Sequence, residues 1–458
     1  MEKKTKYQKL AEKILMKKES AWLMLRKNEE KKVFSFAESY KDFLNKSKTE
    51  LEAVETIRKI AESYGFKEYP KSKVKYYLIN RGKNIALVKK GESIEKGVNI
   101  AISHLDSPRL DLKPHPLYED SDIALFKTHY YGGIKKYHWV SSQLALHGIV
   151  IRKDGKKIHV KIGDSKKDPV FTIADLLPHL DKKQEEKPMK EAIEAEQLNI
   201  IVGNMPVNDK KIDEKIKLNI MKILNEKYGI TEEDFVTAEL HAVPVAEARD
   251  LGFDKSMVIS YGQDDKSSTY AALLAFLEAK AKKTLIFLGV DKEEIGSEGP
   301  TGMKSSFIEE VIRTLTKQDP RLLLSRSKVL SCDVDAAVNP TFKDVHDTLN
   351  ANYLGRGPVV AMYTGYGGKY SASDAGAEYT YKLISILRKH KIPWQSGELG
   401  KVDEGGGGTI AKYVAKYNCD VIDFGPPVLG MHGPMEVASK IDVYYTYKGI
   451  KAFYEEME

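Results

Sequence analysis

Two adjacent glutamates that follow an apolar run constrain the fold of this chain more than any other feature. The run, Thr-Leu-Ile-Phe-Leu-Gly-Val at residues 284–290, has the length and composition of a buried β-strand. Glu293 and Glu294 come just after it. Carboxylates beside a buried strand are costly unless a positive group neutralises them. We therefore expect a cation, such as a metal ion, at the end of this strand.

Four further candidate ligands occupy similar positions, at or just past the end of an apolar segment. They are His104, Asp264, Asp333 and His432. In open α/β sheets, ligands bind at the carboxyl ends of the parallel strands, so these side chains are expected to converge. The set predicts a two-metal hydrolase site in which one glutamate is left free to act as a base. Mixed carboxylate and imidazole ligands suit Zn²⁺, although Co²⁺ or Mn²⁺ could substitute.

Taken singly, each candidate also has an ordinary structural explanation. His104 could be a surface histidine near an aspartate, and Asp265 could cap the helix that follows it. The two glutamates could be solvated in a turn. Asp106 lies two positions after His104, and on an extended segment both side chains point to the same side. The Asp106 carboxylate can therefore orient a metal-binding imidazole.

Length and charge limit the function classes. A chain of 458 residues predicts two or three domains. Its 73 basic and 66 acidic residues give a formal charge of +7, but lysine and glutamate alternate, which is typical of solvated helix faces. We therefore expect no nucleic-acid partner, and the lack of a long apolar stretch predicts no membrane span. Two cysteines and a charged N-terminal sequence without an apolar signal core lead us to expect a cytoplasmic protein.

The pattern along the chain predicts one α/β domain interrupted by a β-rich insertion. Helical periodicity marks the first 65 residues, with an amphipathic stretch over 43–64, and strand-like runs follow at 74–79, 85–88 and 98–102. Short alternating runs then predict antiparallel strands, with a polar surface loop over 181–187. A strand is predicted over 235–240 and a helix over 267–281. The predicted domains are residues 1–107 and 240–458, interrupted by residues 108–239.

Five motifs together resemble the aspartyl aminopeptidase family of zinc metallopeptidases, which includes vacuolar-type aminopeptidase I. They are His104 with Asp106, Asp264 before Asp265, Glu293-Glu294 before Ile-Gly-Ser, Ser-Cys-Asp333 and Met-His432. Their order and approximate spacing agree with the family over nearly the whole chain. The resemblance implies a mixed-sheet zinc-peptidase catalytic domain with an inserted β-rich dimerisation domain.

The resemblance also implies roles for individual residues. It implies two zinc ions bridged by Asp264 and completed by His104, Asp333, Glu294 and His432. Glu293 would be the general base for a metal-bridging water, and Asp106 would orient His104. The substrates would be peptides with a free N-terminus, from which the first residue is hydrolysed. Family members form tetrahedral dodecamers, in which a histidine of the inserted domain reaches a neighbouring active site, and His179 is the nearest candidate here.

Several alternatives stay open at the level of sequence. Acid-selective members place a lysine shortly after a Gly-Pro-Val sequence, whereas here Ala361 follows residues 357–360, and Lys369 is the nearest substitute. An acidic or a neutral N-terminal residue could thus be preferred. A deacylase or carboxypeptidase on a related two-metal fold is a second hypothesis, and a non-catalytic scaffold is a third. The glycine run 405–408 lacks the lysine of a phosphate-binding loop, and the aromatic residues at 130–139 favour packing or subunit contact over base stacking.

Overall fold

The structure is a computed structural model that describes residues 4–16, 18–280 and 282–458. Its α-helices occur along the whole length of the described chain. They are α1 Lys6–Ile14, α2 Glu29–Lys46, α3 Glu50–Ser63, α4 Lys182–Glu185, α5 Met189–Ala192, α6 Lys215–Tyr228, α7 Gln263–Glu278, α8 Phe307–Arg313, α9 Pro320–Leu324, α10 Ala377–Lys389, α11 Ala411–Ala415 and α12 Lys440–Glu456.

The strands alternate with these helices in the second half of the chain and are clustered in the first half. They are β1 Lys67–Glu68, β2 Lys75–Asn80, β3 Asn84–Lys89, β4 Asn99–His104, β5 Arg109–Asp120, β6 Ile123–Tyr131, β7 Leu144–Ile151, β8 Lys157–Ile162, β9 Ile200–Gly203, β10 Ala238–Pro244, β11 Arg249–Leu251, β12 Met257–Ser260, β13 Leu285–Val290, β14 Lys328–Ser331, β15 Asp335–Ala336, β16 Val359–Ala361, β17 Gly365–Tyr366, β18 Gly406–Gly407, β19 Asp420–Gly425, β20 Pro427–Leu429 and β21 Glu436–Ser439.

An eight-stranded mixed sheet forms the centre of the molecule, in the order β1-β2-β3-β13-β4-β14-β19-β16. Its four middle strands, β13, β4, β14 and β19, are parallel to one another, whereas β3 and β16 pair antiparallel with the outer two of them. Helices cover both faces of this sheet, so alternate residues of β13 pack into two different hydrophobic cores. Leu285 and Phe287 pack with α2, α3, α7, α10 and α12, whereas Ile286 and Leu288 pack with α8, α9 and α11. This two-sided burial is why the parallel strands read as nearly continuous apolar runs.

A second sheet of six antiparallel strands is built from β5 to β10, in the order β8-β7-β10-β5-β6-β9. It has its own apolar core, with Trp139, Phe126 and Phe235 among the largest members. Its last strand, β10, runs to Pro244. A third, five-stranded sheet in the order β11-β12-β21-β20-β15 lies beside the central one in the chain's second half. The fold is thus α/β with several mixed or antiparallel sheets.

The structure confirms the apolar strands that the sequence predicts and moves several helix boundaries. The predicted helix over 43–64 is divided between α2 and α3, because Thr49 accepts the amide of Glu52 and Glu52 accepts the amide of Thr49. The predicted surface loop over 181–187 contains the short helix α4. The strand predicted over 235–240 begins only at Ala238, after a 3₁₀ turn. The helix predicted over 267–281 is α7, and its predicted last residue, Ala281, lies outside the described residues.

Two further observations concern the whole described chain. Among the described residues, no helix combines the length and the apolar character that crossing a lipid bilayer requires. Cys332 and Cys419 are both buried and free.

Candidate metal centre

The ends of neighbouring parallel strands bring three of the candidate segments to one level. His104 is the last residue of β4 and lies opposite Val290, the last residue of β13. Ser331, at the end of β14, lies opposite Ile102, so Asp333 comes level with His104 two residues later. Residues that follow β13 and β14 therefore meet at the carboxyl edge of the sheet, as expected for an open α/β fold.

Asp264 lies between the two histidines. One of its oxygens, Oδ1, is 3.0 Å from His104 Nε2, and the other, Oδ2, is 3.2 Å from His432 Nε2. His104 Nε2 is also 3.6 Å from Asp333 Oδ1. His432 Nε2 is 3.5 Å from Glu294 Oε2. The carboxylate of Asp264 thus joins two groups of candidate ligands, one around each imidazole.

The other nitrogen of each imidazole is already engaged, which leaves Nε2 free to bind a metal. His104 Nδ1 lies 3.1 Å from the carbonyl oxygen of Asp106 and 3.4 Å from its Oδ1. His432 Nδ1 lies 2.9 Å from the carbonyl oxygen of Gly133. In both cases an oxygen acceptor favours the proton on Nδ1 and a lone pair on Nε2.

Asp106 also positions the two glutamates. Its Oδ1 accepts the amide of Glu293 and its Oδ2 accepts the amide of Glu294, each at 3.2 Å. Lys292 turns the chain after β13 with a φ of 66°, and the glutamates follow on a 3₁₀ turn. On this turn Glu294 points toward His432, whereas Glu293 lines the open pocket.

Glu436 is a functional candidate that the sequence analysis missed. It is fully buried at the start of β21, where its Oε1 accepts the amide of His432 at 2.9 Å and its Oε2 accepts the amide of Asp264 at 3.1 Å. One carboxylate therefore holds the backbones of two candidate ligands. The only sequence signal was an acidic residue at the start of an apolar strand, four positions after His432.

In the part of the chain that the structure describes, three groups of side chains have ligand atoms close enough to share a metal ion, within 4.8 Å of one another. They are His104 with Asp264 and Asp333, Asp264 with Glu294 and His432, and His104 with Glu293 and Glu294. The donor set fits zinc, which binds imidazole nitrogen and carboxylate oxygen. Glu294 Oε1 is buried and has no hydrogen-bond partner among the described residues, as expected of an oxygen that a cation would satisfy.

The charges of the cluster also fit a binuclear site. Burial raises the pKa of Glu293 to about 8, and the nearby carboxylates of Asp333 and Asp106 add to this although His104 opposes it. Burial also raises the pKa of Glu294 well above its ordinary value. Burial lowers the pKa of His432, but the hydrogen bond with Asp264 and the charge of Glu294 outweigh it and raise the pKa to about 11. The cluster thus holds more negative charge than its imidazoles can balance, which divalent cations would neutralise.

A pocket of about 410 Å³ opens in front of the centre. Its near end is lined by His104, Asp264, Glu293, Asp333 and His432, and its far wall by segments 359–369 and 398–409. The glycine run 405–408 is part of this wall.

The far wall of the pocket carries charges that bear on substrate choice. Lys369 Nζ lies 3.1 Å from Asp374 Oδ1 and 3.7 Å from the ring centroid of Tyr363, so its charge is already paired. Asp423 also lines the pocket, and its carboxylate is buried. Burial raises the pKa of Asp423 to about 7.

His179 is the one predicted site residue that lies apart from this cluster. It is exposed, and it is absent from the described residues that line the pocket. Its neighbours Leu176, Leu177 and Leu180 are also exposed, by 52%, 50% and 68%. The other predicted site residues, including Asp106, are gathered at the centre.

Comparisons with known proteins give the family and the fold. The family model described as aminopeptidase I zinc metalloprotease (M18) matches residues 43–454. An M18 family aminopeptidase 1 of Thermotoga neapolitana is 46% identical over 456 residues, covering 96% of this chain and 100% of the relative. The crystal structure of an M18 family aminopeptidase from Thermotoga maritima superimposes with a TM-score of 0.93 at 45% identity, covering 96% of this chain and 100% of that one. The mApe1 dodecamer of S. cerevisiae, at 22% identity, has a TM-score of 0.74 over 91% of this chain and 96% of its own, a likeness of fold.

Proposed function

The chain belongs to the aminopeptidase I zinc metalloprotease (M18) family, and we propose that this enzyme works through two zinc ions with Glu293 as its general base. It is an aminopeptidase, a metalloprotease that removes N-terminal residues. The observation that carries the proposal is the position of Asp264, whose two oxygens each face a different histidine. A carboxylate in that position can bridge two metal ions.

The proposed ligands divide into two groups that share Asp264. His104 and Asp333 would complete one site, and Glu294 and His432 would complete the other. When bound, the two zinc ions would supply Lewis-acid activation of a water and of the scissile carbonyl. Cobalt or manganese can occupy such a site as well. This division uses five ligands and leaves Glu293 without a metal to bind.

Glu293 would move the proton. It lines the pocket beside the ligands, and its amide is fixed by Asp106. From that position its carboxylate can take a proton from the attacking water and deliver it to the leaving amine. Asp106 would keep His104 Nε2 directed at the site through the contacts to Nδ1.

The base assignment is tested by Glu293→Gln. Loss of a general base lowers the rate by roughly 10²- to 10⁴-fold, so kcat should fall by that factor while zinc content stays near two per chain. Glu298→Gln is the matched control, because Glu298 lies in the same loop and its side chain is 70% exposed. A Glu293→Gln enzyme of wild-type kcat would refute the assignment.

We propose that the enzyme takes peptides with a free N-terminus and prefers a neutral first residue. Lys369 and Lys401 both line the pocket, but Lys369 is paired with Asp374, and the lining also carries three carboxylates, Asp335, Asp423 and Glu398, against the single remaining lysine. An acidic substrate side chain would therefore meet net negative charge.

Chromogenic leucyl and aspartyl substrates test this preference. Leucyl substrate should be cleaved with the higher kcat/KM, and Asp374→Asn, which frees Lys369, should raise the aspartyl rate relative to the leucyl one. A higher kcat/KM for the aspartyl substrate would refute the preference. N-acetylated peptides should not be cleaved, whereas a deacylase would accept them and a carboxypeptidase would need a free C-terminus instead.

We further propose that the chain forms homo-oligomers through the region 108–239, acting as an inserted dimerisation domain. The yeast relative whose fold it shares is a dodecamer. The exposed leucines around His179 support a covered surface there, because clustered apolar side chains mark interaction sites. His179 would then reach the active site of a neighbouring subunit. Light scattering gives the subunit number. His179→Ala tests the proposed role of His179 in the neighbouring active site. We expect kcat to fall in a variant that keeps the subunit number of the wild type.

A further inference from the structure

One segment of the six-stranded sheet reaches the centre that the central sheet provides. Strand β6 ends at Tyr131, and residues 131–133, Tyr-Gly-Gly, which we call the strap, continue from it toward the ligands. Tyr131 is buried, with 7% of its surface exposed. The strap itself contains none of the proposed ligands, and it is separate from the strands and loops that carry them.

The first contact of the strap is with Asp106. The Tyr131 hydroxyl donates to Asp106 Oδ2 at 2.9 Å. The same oxygen accepts the amide of Glu294, and the other carboxylate oxygen accepts the amide of Glu293. Asp106 also lies against His104 Nδ1. The Tyr131 hydroxyl is therefore linked through the Asp106 carboxylate to the His104 imidazole and to the amides of both glutamates.

The second contact of the strap is with Glu294. A Cβ at Gly132 would lie 3.3 Å from Glu294 Cβ and 3.3 Å from its Oε2. The backbone of Gly132 therefore packs directly on a ligand side chain, and a Cβ here would press on both this carboxylate and Pro108. Its φ of +77° also favours glycine.

The third contact is with His432, which shares its proposed site with Glu294. The carbonyl oxygen of Gly133 is the acceptor that faces His432 Nδ1 at 2.9 Å. The strap thus takes part in orienting both imidazoles. It contacts Asp106, which faces His104 Nδ1, and it supplies the Gly133 carbonyl that faces His432 Nδ1.

The strap is itself anchored away from the centre. The Arg109 guanidinium lies 4.1 Å from the ring centroid of Tyr131, and Arg109 donates to Glu50 at 2.8 Å and to Asp111 at 2.8 Å. Arg109 is buried, as is Glu50 on α3. A buried ion pair with satisfied hydrogen bonds fixes the ring in place, so the hydroxyl has a defined direction.

We propose that the strap is a positioning element through which the six-stranded sheet sets the geometry of the metal centre within the same chain, with Tyr131 as its key positioning residue. The inference rests on the proposed two-zinc function. Partners that orient a metal ligand commonly change metal affinity by 10- to 100-fold when they are lost. Tyr131 acts through Asp106 and touches neither substrate nor ligand atoms of the metal.

Tyr131→Phe tests the proposal, because it removes the hydroxyl and keeps the ring on Arg109. Its matched control is Tyr130→Phe, since Tyr130 is 40% exposed and faces away on the alternating strand. Zinc affinity is measured by competition with a chromogenic chelator, and the Co²⁺-substituted protein is compared by visible absorption. We expect Tyr131→Phe to weaken zinc binding about 10- to 100-fold, to shift the cobalt spectrum and to lower kcat with little change in KM. Tyr130→Phe should match the wild type in all four readouts.

A second pair of variants keeps the proposal testable if Tyr131→Phe does not fold. Gly132→Ala and Gly155→Ala both place alanine in left-handed backbone, at φ of +77° and +79°, but the new Cβ at Gly155 has no neighbour within 4 Å. Only Gly132→Ala should weaken zinc binding. Equal zinc affinity and equal cobalt spectra for each variant and its control would overturn the proposal. A wild-type protein that binds no zinc would instead overturn the proposed function, and this outcome is seen before any variant is made.

Discussion

Replacing Glu436 by glutamine should weaken zinc binding even though Glu436 is not a proposed ligand. The glutamate uses one oxygen for the amide of His432 and the other for the amide of Asp264. Glutamine keeps one acceptor and turns a second donor toward the remaining amide, which is left buried and unpaired. A buried amide left without its acceptor costs about 1–3 kcal/mol, and the backbones of both candidate ligands are held less firmly. Loss of a group that holds metal ligands in place commonly changes metal affinity by 10- to 100-fold, so the dissociation constant for zinc should rise by about that factor.

The assay is competition between the protein and a chromogenic chelator at fixed free zinc. Glu247→Gln serves as the control, because Glu247 is exposed and makes the same chemical change at a surface position. Circular dichroism of both variants would show that the fold is retained. A dissociation constant for Glu436→Gln within about twofold of the control would contradict the idea that this carboxylate holds the two ligands in place.

Three further predictions concern stability. Removing zinc by chelation should lower the melting temperature, because a ligand at 100 times its dissociation constant adds about 2.7 kcal/mol to the folded state; an unchanged melting curve would count against a resident metal. Burial raises the pKa of Glu52, but His147 and Lys161 outweigh it and lower the pKa to about 2, so this stabilisation is present above pH 4.5 and is lost as the pH falls toward 2. Glu52→Gln should therefore flatten the acid side of a plot of urea midpoint against pH, and parallel curves for the two proteins would exclude this contribution. Thr49→Ala removes the cap of α3 and should cost about 1 kcal/mol in urea unfolding, whereas an unchanged midpoint would show that the cap does not stabilise the helix.

The sequence predicts that the candidate ligands lie close together because several of them follow a local signal. An apolar run defines a buried strand, and a polar residue directly after it must lie at the strand's end, as with His104 after β4 and Asp333 after β14. The geometry of a parallel sheet then brings such ends together without further information. Asp264 is a different case, because it follows β12 of the five-stranded sheet, which is antiparallel to both of its neighbours.

The supporting residues could not be predicted in this way. Glu436 and Tyr131 act through contacts that exist only once separate sheets have packed against each other, and neither has a periodic or compositional signature. The strap was visible only as part of an aromatic cluster. The helix boundary at Thr49 is a different case, since the Thr-x-x-Glu signature was present but the amphipathic pattern continues across it.

The order of the proposed ligands along the chain has a consequence for the cell. His104 is made early and His432 near the end, and the carboxylate between them needs both imidazoles. A chain still being synthesised therefore lacks one half of the catalytic centre, however well its earlier strands have folded. With the proposed ligands, peptidase activity would arise only after the hairpin that bears His432 has joined the rest.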